Sequence, residues 1–290
     1  MNKKNPFKID RSKQYDLYLS FTEGQKDKFI NNVEEILLIM ERLIKEGELY
    51  IDTKLMARIK DPESSISNDY VNEICQNKLM KRILKQINLS DYTITEETDK
   101  NLINKSYKGK ELDDIFGINI IVHSEEELEK LEEALRIDFA VRKKIEKRKP
   151  EYCANHLYLW NKTGDEYSPL IECQLKTLSN HINSHDHTLY KVETNIANYL
   201  QKNHQSSKKL KIRLNENGTH KVWEIIQQFY NEGEFNIMTN IPRMWEGTFD
   251  EELGQMQLVE LSENQTLKRM YPNLKVKYDR NKNDREEIER

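Results

Sequence analysis

Long apolar runs are missing from this chain of 290 residues. No stretch approaches the roughly 20 consecutive apolar residues that a membrane-spanning helix needs, and the N-terminus is polar and basic where a secretory leader would carry an apolar segment. Cysteine is scarce. Cys75, Cys153 and Cys173 are odd in number, far apart and without CxxC spacing, which argues against a disulfide framework or a zinc site. A reducing compartment fits this usage, so a soluble protein of the cytoplasm without a membrane partner is expected. Glycine is scarce too, with 9 in the chain against 33% charged residues, a balance that favours helix. Net charge is nearly absent: 46 basic against 50 acidic side chains leave −4. Any polyanion must therefore be met by local patches.

Such patches are present. Lys3, Lys4, Lys8, Arg11 and Lys13 stand against one acid, Asp10, in the first 13 residues. Thr22-Glu23-Gly24-Gln25 matches a capping box, and Phe29, Val33, Ile36, Leu37, Met40, Leu43 and Ile44 then recur at helical spacing, predicting an amphipathic helix that ends near Gly47. From Tyr50 to Pro62 the pattern changes to a period of two. Leu55, Ala57 and Ile59 take one face, while Arg58 and Lys60 share the other, where two cations repel unless an anion lies over them. Ser64 and Ser65 follow as cap or phosphate contacts, then a helix with Val71, Ile74, Leu79, Ile83 and Ile87. Residues 90–110 read mostly as loop.

Ser124-Glu125-Glu126-Glu127 opens a further helix with Leu128, Leu131, Leu135 and Phe139 on its buried side. The cluster Arg142, Lys143, Lys144, Lys147, Arg148 and Lys149 reads as its solvated end, placed to contact phosphate. Asn155 to Trp160 alternates like a strand and, across a turn at Gly164-Asp165, forms a hairpin with the segment Pro169 to Thr177. Residues 178–201 predict one helix. Its His181, His185 and His187 are spaced by four and two, which does not put all three on one helical face. Lys208, Lys209, Lys211 and Arg213 make another basic patch, and a last amphipathic helix carries Val222, Ile225, Ile226 and Phe229. The stretch with Pro242, Trp245, Gly247 and Pro272 reads as irregular, and the end from Lys277 as frayed.

Two acidic strands organise these elements. Leu112 to Val122 is an apolar, β-branched run with Asp113 and Asp114 at its mouth and Gly117 just inside, and Glu172 interrupts the otherwise apolar strand after Pro169. If the strands are neighbours, Asp114 and Glu172 converge. Two like charges about 4 Å apart repel by roughly 4 kcal/mol at an effective dielectric near 20, and a divalent cation turns that cost into a binding site.

Taken in order, Arg58-x-Lys60 with Pro62-Glu63-Ser64-Ser65-Ile66, Asp114-x-x-Gly117-x-x-Ile120, Tyr152-x-x-x-His156 and Glu172-x-Gln174-x-Lys176-Thr177 with Tyr190-Lys191 resemble the synthetase domain of the RelA/SpoT family of pyrophosphokinases. The resemblance spans roughly residues 50–191. It implies an α+β, nucleotidyltransferase-like fold, a mixed sheet of about five strands flanked by helices. Three parts would follow: a basic arm and helix over 1–49, the pyrophosphokinase domain over 50–201, and a helical or irregular extension over 202–290. It implies transfer of pyrophosphate from ATP to a ribose 3′-hydroxyl with Mg²⁺ as cofactor. Asp114 and Glu172 would be catalytic and hold the metal. Arg58, Lys60, Ser64 and Ser65 would bind ATP, and Tyr152, His156, Gln174 and Lys176 the acceptor, Tyr152 by stacking on its base. No histidine-aspartate constellation of the family's hydrolase domain precedes residue 50.

The chain departs from the family pattern at Asn119, Cys153 and Lys176, where arginines are usual, and at Asp69, close to the place of a usual lysine. Lysine and asparagine do not replace a bidentate arginine grip. Three readings follow. The acceptor is the 3′ CCA end of tRNA, as in the toxic small members of the family, which uses the basic arm and the 142–149 and 208–213 clusters and suggests a neutralising antitoxin as partner. Alternatively it is GDP or GTP, giving the alarmone (p)ppGpp. In the third reading the domain is a catalytically silent nucleotide-binding regulator.

Overall fold

The computed structural model describes residues 11–60, 78–97, 115–149, 152–162, 169–182, 187–203, 209–233 and 242–276. In chain order the elements are α1 (Arg11–Lys45), β1 (Lys54–Ile59), α2 (Lys78–Gln86), β2 (Tyr92–Glu97), β3 (Phe116–Val122), α3 (Glu125–Asp138), β4 (Phe139–Lys149) and β5 (Tyr152–Asn161). They continue with β6 (Ile171–Thr177), α4 (Leu178–Ile182), α5 (His187–Asn203), β7 (Lys209–Leu214), α6 (Glu216–Asn231), β8 (Arg243–Asp250), β9 (Gln255–Glu260) and α7 (Glu263–Met270). The fold is α+β. The chain forms two units, Met1–Asn72 with Lys100–Asp186 and Pro242–Glu260, and Glu73–Asp99 with His187–Ile241 and Leu261–Arg290. Each is assembled from separate stretches of chain, a division that differs from boundaries drawn in chain order at 49/50 and 201/202.

The first unit is built on a seven-stranded sheet in the order β4-β5-β6-β3-β1-β8-β9. Strands β3 and β6 run parallel and every other neighbouring pair antiparallel. The four strands read from the sequence, β5, β6, β3 and β1, are contiguous within it. One face is apolar because alternate residues of each strand are: Leu55 and Ala57, Ile118 and Ile120, Leu157 and Leu159, Cys173 and Leu175. Against this face pack α1, through Phe29, Val33, Ile36 and Met40, and α3, through Leu128, Leu131 and Leu135. Each large side chain buried so contributes about 1.5–3 kcal/mol.

Three local expectations are corrected here. The first helix does not start at Thr22 but runs from Arg11. The Thr22 hydroxyl donates back to the Tyr18 carbonyl at 3.0 Å, satisfying within the helix a side chain that would otherwise cap one. The helix stops where expected, with Gly47 at φ +74°. The basic cluster at 142–149 is no helix end but the edge strand β4. Phe139 and Val141 share the apolar face, a register shift between Val141 and Lys143 interrupts the period, and Lys144 comes onto that face beyond it, where it reaches Glu132 of α3 at 2.9 Å. The stretch around Pro242 to Gly247 is a strand hairpin, β8–β9, which adds the sixth and seventh strands. Trp245 is buried and meets the ring of Phe29 edge-on at 6.2 Å. A Cβ at Gly247 would come within 2.6 Å of Leu37 Cδ2, so glycine is what admits α1 at that point.

In the second unit β2 pairs antiparallel with β7, although residues 90–110 were expected as loop; 98–110 lie outside the described residues. Its core joins Met80 and Ile83 of α2, Val192 and Ile196 of α5, Val222, Ile225 and Phe229 of α6 and Leu267 of α7. Asp91, fully buried, is held by Lys221 Nζ at 2.8 Å and by Asn217 Nδ2 at 2.6 Å. The single helix expected over 178–201 is two, α4 and α5. No helix among the described residues is long and apolar enough to cross a membrane.

Candidate active site

The other face of the seven-stranded sheet is polar, and register decides what meets there. Arg58 of β1 is the partner of Gly117 of β3, Gly117 of Glu172 of β6, and Glu172 of Tyr158 of β5. Residues opposite each other in a sheet share a face. One row therefore joins Arg58, Gly117, Glu172 and Tyr158; the next joins Met56, Asn119, Gln174 and His156. The two acidic strands are parallel neighbours, as the convergence of Asp114 and Glu172 requires. Asp114 itself, with Ser64 and Ser65, lies outside the described residues.

Glu172 is 7% exposed and engaged on both oxygens. Oε1 accepts from His156 Nδ1 at 2.8 Å and from the Tyr158 hydroxyl at 3.2 Å, and Oε2 accepts from Gln174 Nε2 at 3.2 Å. Burial alone would raise the pKa of this acid. The hydrogen bond and charge of His156, then the Gln174 amide and the Lys60 ammonium, outweigh it and hold the carboxyl at about 2. The proton count runs onward. Gln174 gives its N–H to Glu172, so its carbonyl faces Tyr152, whose hydroxyl donates to it at 3.0 Å. The phenol oxygen also lies 2.9 Å from His156 Nε2. Burial, with the Glu172 charge, raises the Tyr152 phenol above its ordinary range, keeping that proton in place.

The cations are arranged around this network. Lys60, one residue past β1, is fixed by its N–H donating to the Ile115 carbonyl at 2.9 Å and by its own carbonyl accepting from the Tyr18 hydroxyl at 3.0 Å. Arg58 lies across β3 because Gly117 leaves room: a Cβ there would sit 3.2 Å from Arg58 Nε and 3.5 Å from its Cγ. Gly117→Ala should therefore make the Arg58 side chain shift by a few tenths of an ångström with the melting temperature nearly unchanged, which a thermal melt checks. Lys176 is 9% exposed, and its ammonium lies 4.4 Å from the centre of the Tyr152 ring. Desolvation, then Arg58 and Lys147, lower its pKa to about 8, with Glu172 opposing.

Because the folded state binds this proton less tightly than the unfolded chain, the cost of holding it is present at neutral pH and is relieved as pH rises from about 8 towards the ordinary 10.5. Stability of the protein relative to its Lys176→Met variant should accordingly rise over that interval, read from urea unfolding; a flat difference would mean that the ammonium is not desolvated.

Sequence reasoning missed Tyr158, although it stands two residues from His156 and the strand period puts both on one face. Asn119, a departure from the family pattern, has its Oδ1 buried without a hydrogen-bond partner. Exposed His181 has its pKa lowered by desolvation and by Lys176; His185 and the His187 side chain lie outside the described residues. No three His, Cys, Asp or Glu side chains among the described residues form a metal group. Mg²⁺ does not need one, since one or two carboxylates with substrate phosphates and water are its usual set. The acceptor-only Glu172, with lone pairs beyond those used by its three donors, fits such a set as one hard oxygen ligand.

No protein-family model and no curated relative matches the chain. Among solved structures, small alarmone synthetase 1 from Bacillus subtilis is similar with a TM-score of 0.34 and 14% identity, covering 77% of this chain and 96% of that one. The same protein bound to its product pppGpp gives 0.33 and 15%, covering 73% and 89%. A GTP pyrophosphokinase family protein from Streptococcus pneumoniae gives 0.24 and 14%, covering 60% and 90%.

Proposed function

We propose that the polar face around Glu172 is the active site of a pyrophosphokinase that moves the terminal diphosphate of ATP to a ribose 3′-hydroxyl. The observation that carries this reading is the row Arg58, Gly117, Glu172, Tyr158 with His156 and Gln174 beside it: an ionised carboxylate held by three donors, with the cations Arg58 and Lys60 on the same strand face.

The acceptor oxygen attacks the β-phosphorus, the bond from that phosphorus to the α–β bridging oxygen breaks, and AMP leaves. Glu172 receives the hydroxyl proton. Arg58 and Lys60 hold the ATP phosphates, joined by Ser64 and Ser65. Tyr152 supplies a stacking platform for the acceptor base, and His156 fixes both Glu172 and the phenol of Tyr152. Mg²⁺, held by Asp114 and Glu172, would neutralise charge on the transferred group, which is what this chemistry needs most.

The acceptor favoured is the 3′ end of tRNA. Its support is the edge strand β4, along an open border of the sheet, where Arg142 and Lys147 stand. Incubating the protein with ATP, Mg²⁺ and either labelled GDP or deacylated tRNA separates the readings. Product on tRNA is expected. Product on GDP alone would replace tRNA by a guanine nucleotide, and none on either would leave a silent nucleotide-binding regulator.

A further inference from the structure

Tyr152 and His156 are four residues apart on one face of β5, about 13 Å along a strand rising roughly 3.3 Å per residue, yet the phenol oxygen is 2.9 Å from His156 Nε2. The tyrosine therefore does not stand off the sheet. It lies along its own strand across the intervening Ala154, buried and small enough to pass beneath it. On one side of Ala154 is its register partner Lys147, and on the other Lys176, one step beyond the pairing of Leu175 with Asn155. Both ammonium groups approach the ring, Lys147 at 5.8 Å and Lys176 at 4.4 Å from its centre. The nearer is well inside the range of a cation–π contact. It is also the more buried, in a field that Arg58 and Lys147 make unfavourable for a cation.

A base stacked on Tyr152 and the Lys176 ammonium compete for the same π surface. We propose that Lys176 is the acceptor gate of this site: its ammonium occupies the stacking surface of Tyr152 and gives it up to an acceptor whose phosphate takes the ammonium in exchange. This rests on the reading of Tyr152 as the platform for the acceptor base. A nucleoside without phosphate must displace the cation and offers it nothing, whereas a nucleotide exchanges a cation–π contact for an ion pair. Lys176 thus selects phosphate-bearing acceptors over bare nucleosides. Arginine in its place would keep the cap, since a guanidinium also stacks on aromatic faces.

Calorimetric titration of the full-length protein, Lys176→Ala and Lys176→Arg with guanosine, adenosine, GDP and deacylated tRNA tests this. In Lys176→Ala the nucleoside that stacks should bind about two- to thirtyfold more tightly, the range a lost cation–π contact implies, while its phosphate-bearing counterpart binds several-fold more weakly. Lys176→Arg should keep the wild-type order. Changes of the same sign for nucleoside and nucleotide in Lys176→Ala, no gain for either nucleoside, or a nucleoside gain in Lys176→Arg would overturn the gate. The two readings fail separately. Opposite-signed binding changes without any transfer product would remove the enzyme and keep the gate; transfer without them would do the reverse.

Discussion

Glu172→Gln should lower pyrophosphate transfer by at least about a thousandfold, some 4 kcal/mol of lost barrier reduction, while an ATP analogue still binds. The amide matches the carboxylate in shape, so the strand pairing of β6 with β3 and β5 has no steric reason to change. What changes is charge. A carboxylate that accepts from His156, Tyr158 and Gln174 becomes a group whose NH₂ must face one of those donors, and it can neither receive a proton nor ligate a hard cation. Loss of the charge-assisted bond from His156 should also cost about 1.5–3 kcal/mol of stability. An acid that merely ends its strand would give the stability loss without the kinetic one. Steady-state kinetics beside a thermal melt tells these apart.

Asp114→Ala should abolish transfer with the far-ultraviolet circular dichroism unchanged, and added Mg²⁺ should not restore it. In the sequence Asp114 comes three residues before Gly117, the register partner of Glu172 in the parallel pairing of β3 with β6. Removing one of two carboxylates that share a metal leaves the other without its counter-charge and the transferred group without its neutralising cation. Turnover retained in this variant would withdraw the metal assignment for both acids.

Much of the sheet was legible because its strands carry a plain period of two. Leu55, Ala57 and Ile59 against Arg58 announced β1, and the Asn155 to Trp160 alternation announced β5 and its pairing with β6. Where charge concealed the period, the reading failed: β4 has six cations, and its apolar Val141 and Ile145 were too few to outweigh the helix before them. Trp245 and Gly247 looked like loop residues because the reason for each is tertiary, a ring against Phe29 and a missing Cβ beneath Leu37. The interleaving of the two units was invisible for the same reason. At the site, Arg58, Tyr152, His156, Glu172, Gln174 and Lys176 were legible through spacing and family resemblance. The contacts among them were not, because the flattened Tyr152 depends on the smallness of Ala154 and on cations from both neighbouring strands.

The most direct measurement is the adenine nucleotide released when the protein turns over with ATP labelled at its β-phosphorus, in the presence of deacylated tRNA or GDP. Attack at that phosphorus predicts one AMP for each acceptor labelled, with the label on the acceptor. Release of ADP, or of AMP with free pyrophosphate and an unlabelled acceptor, would contradict it.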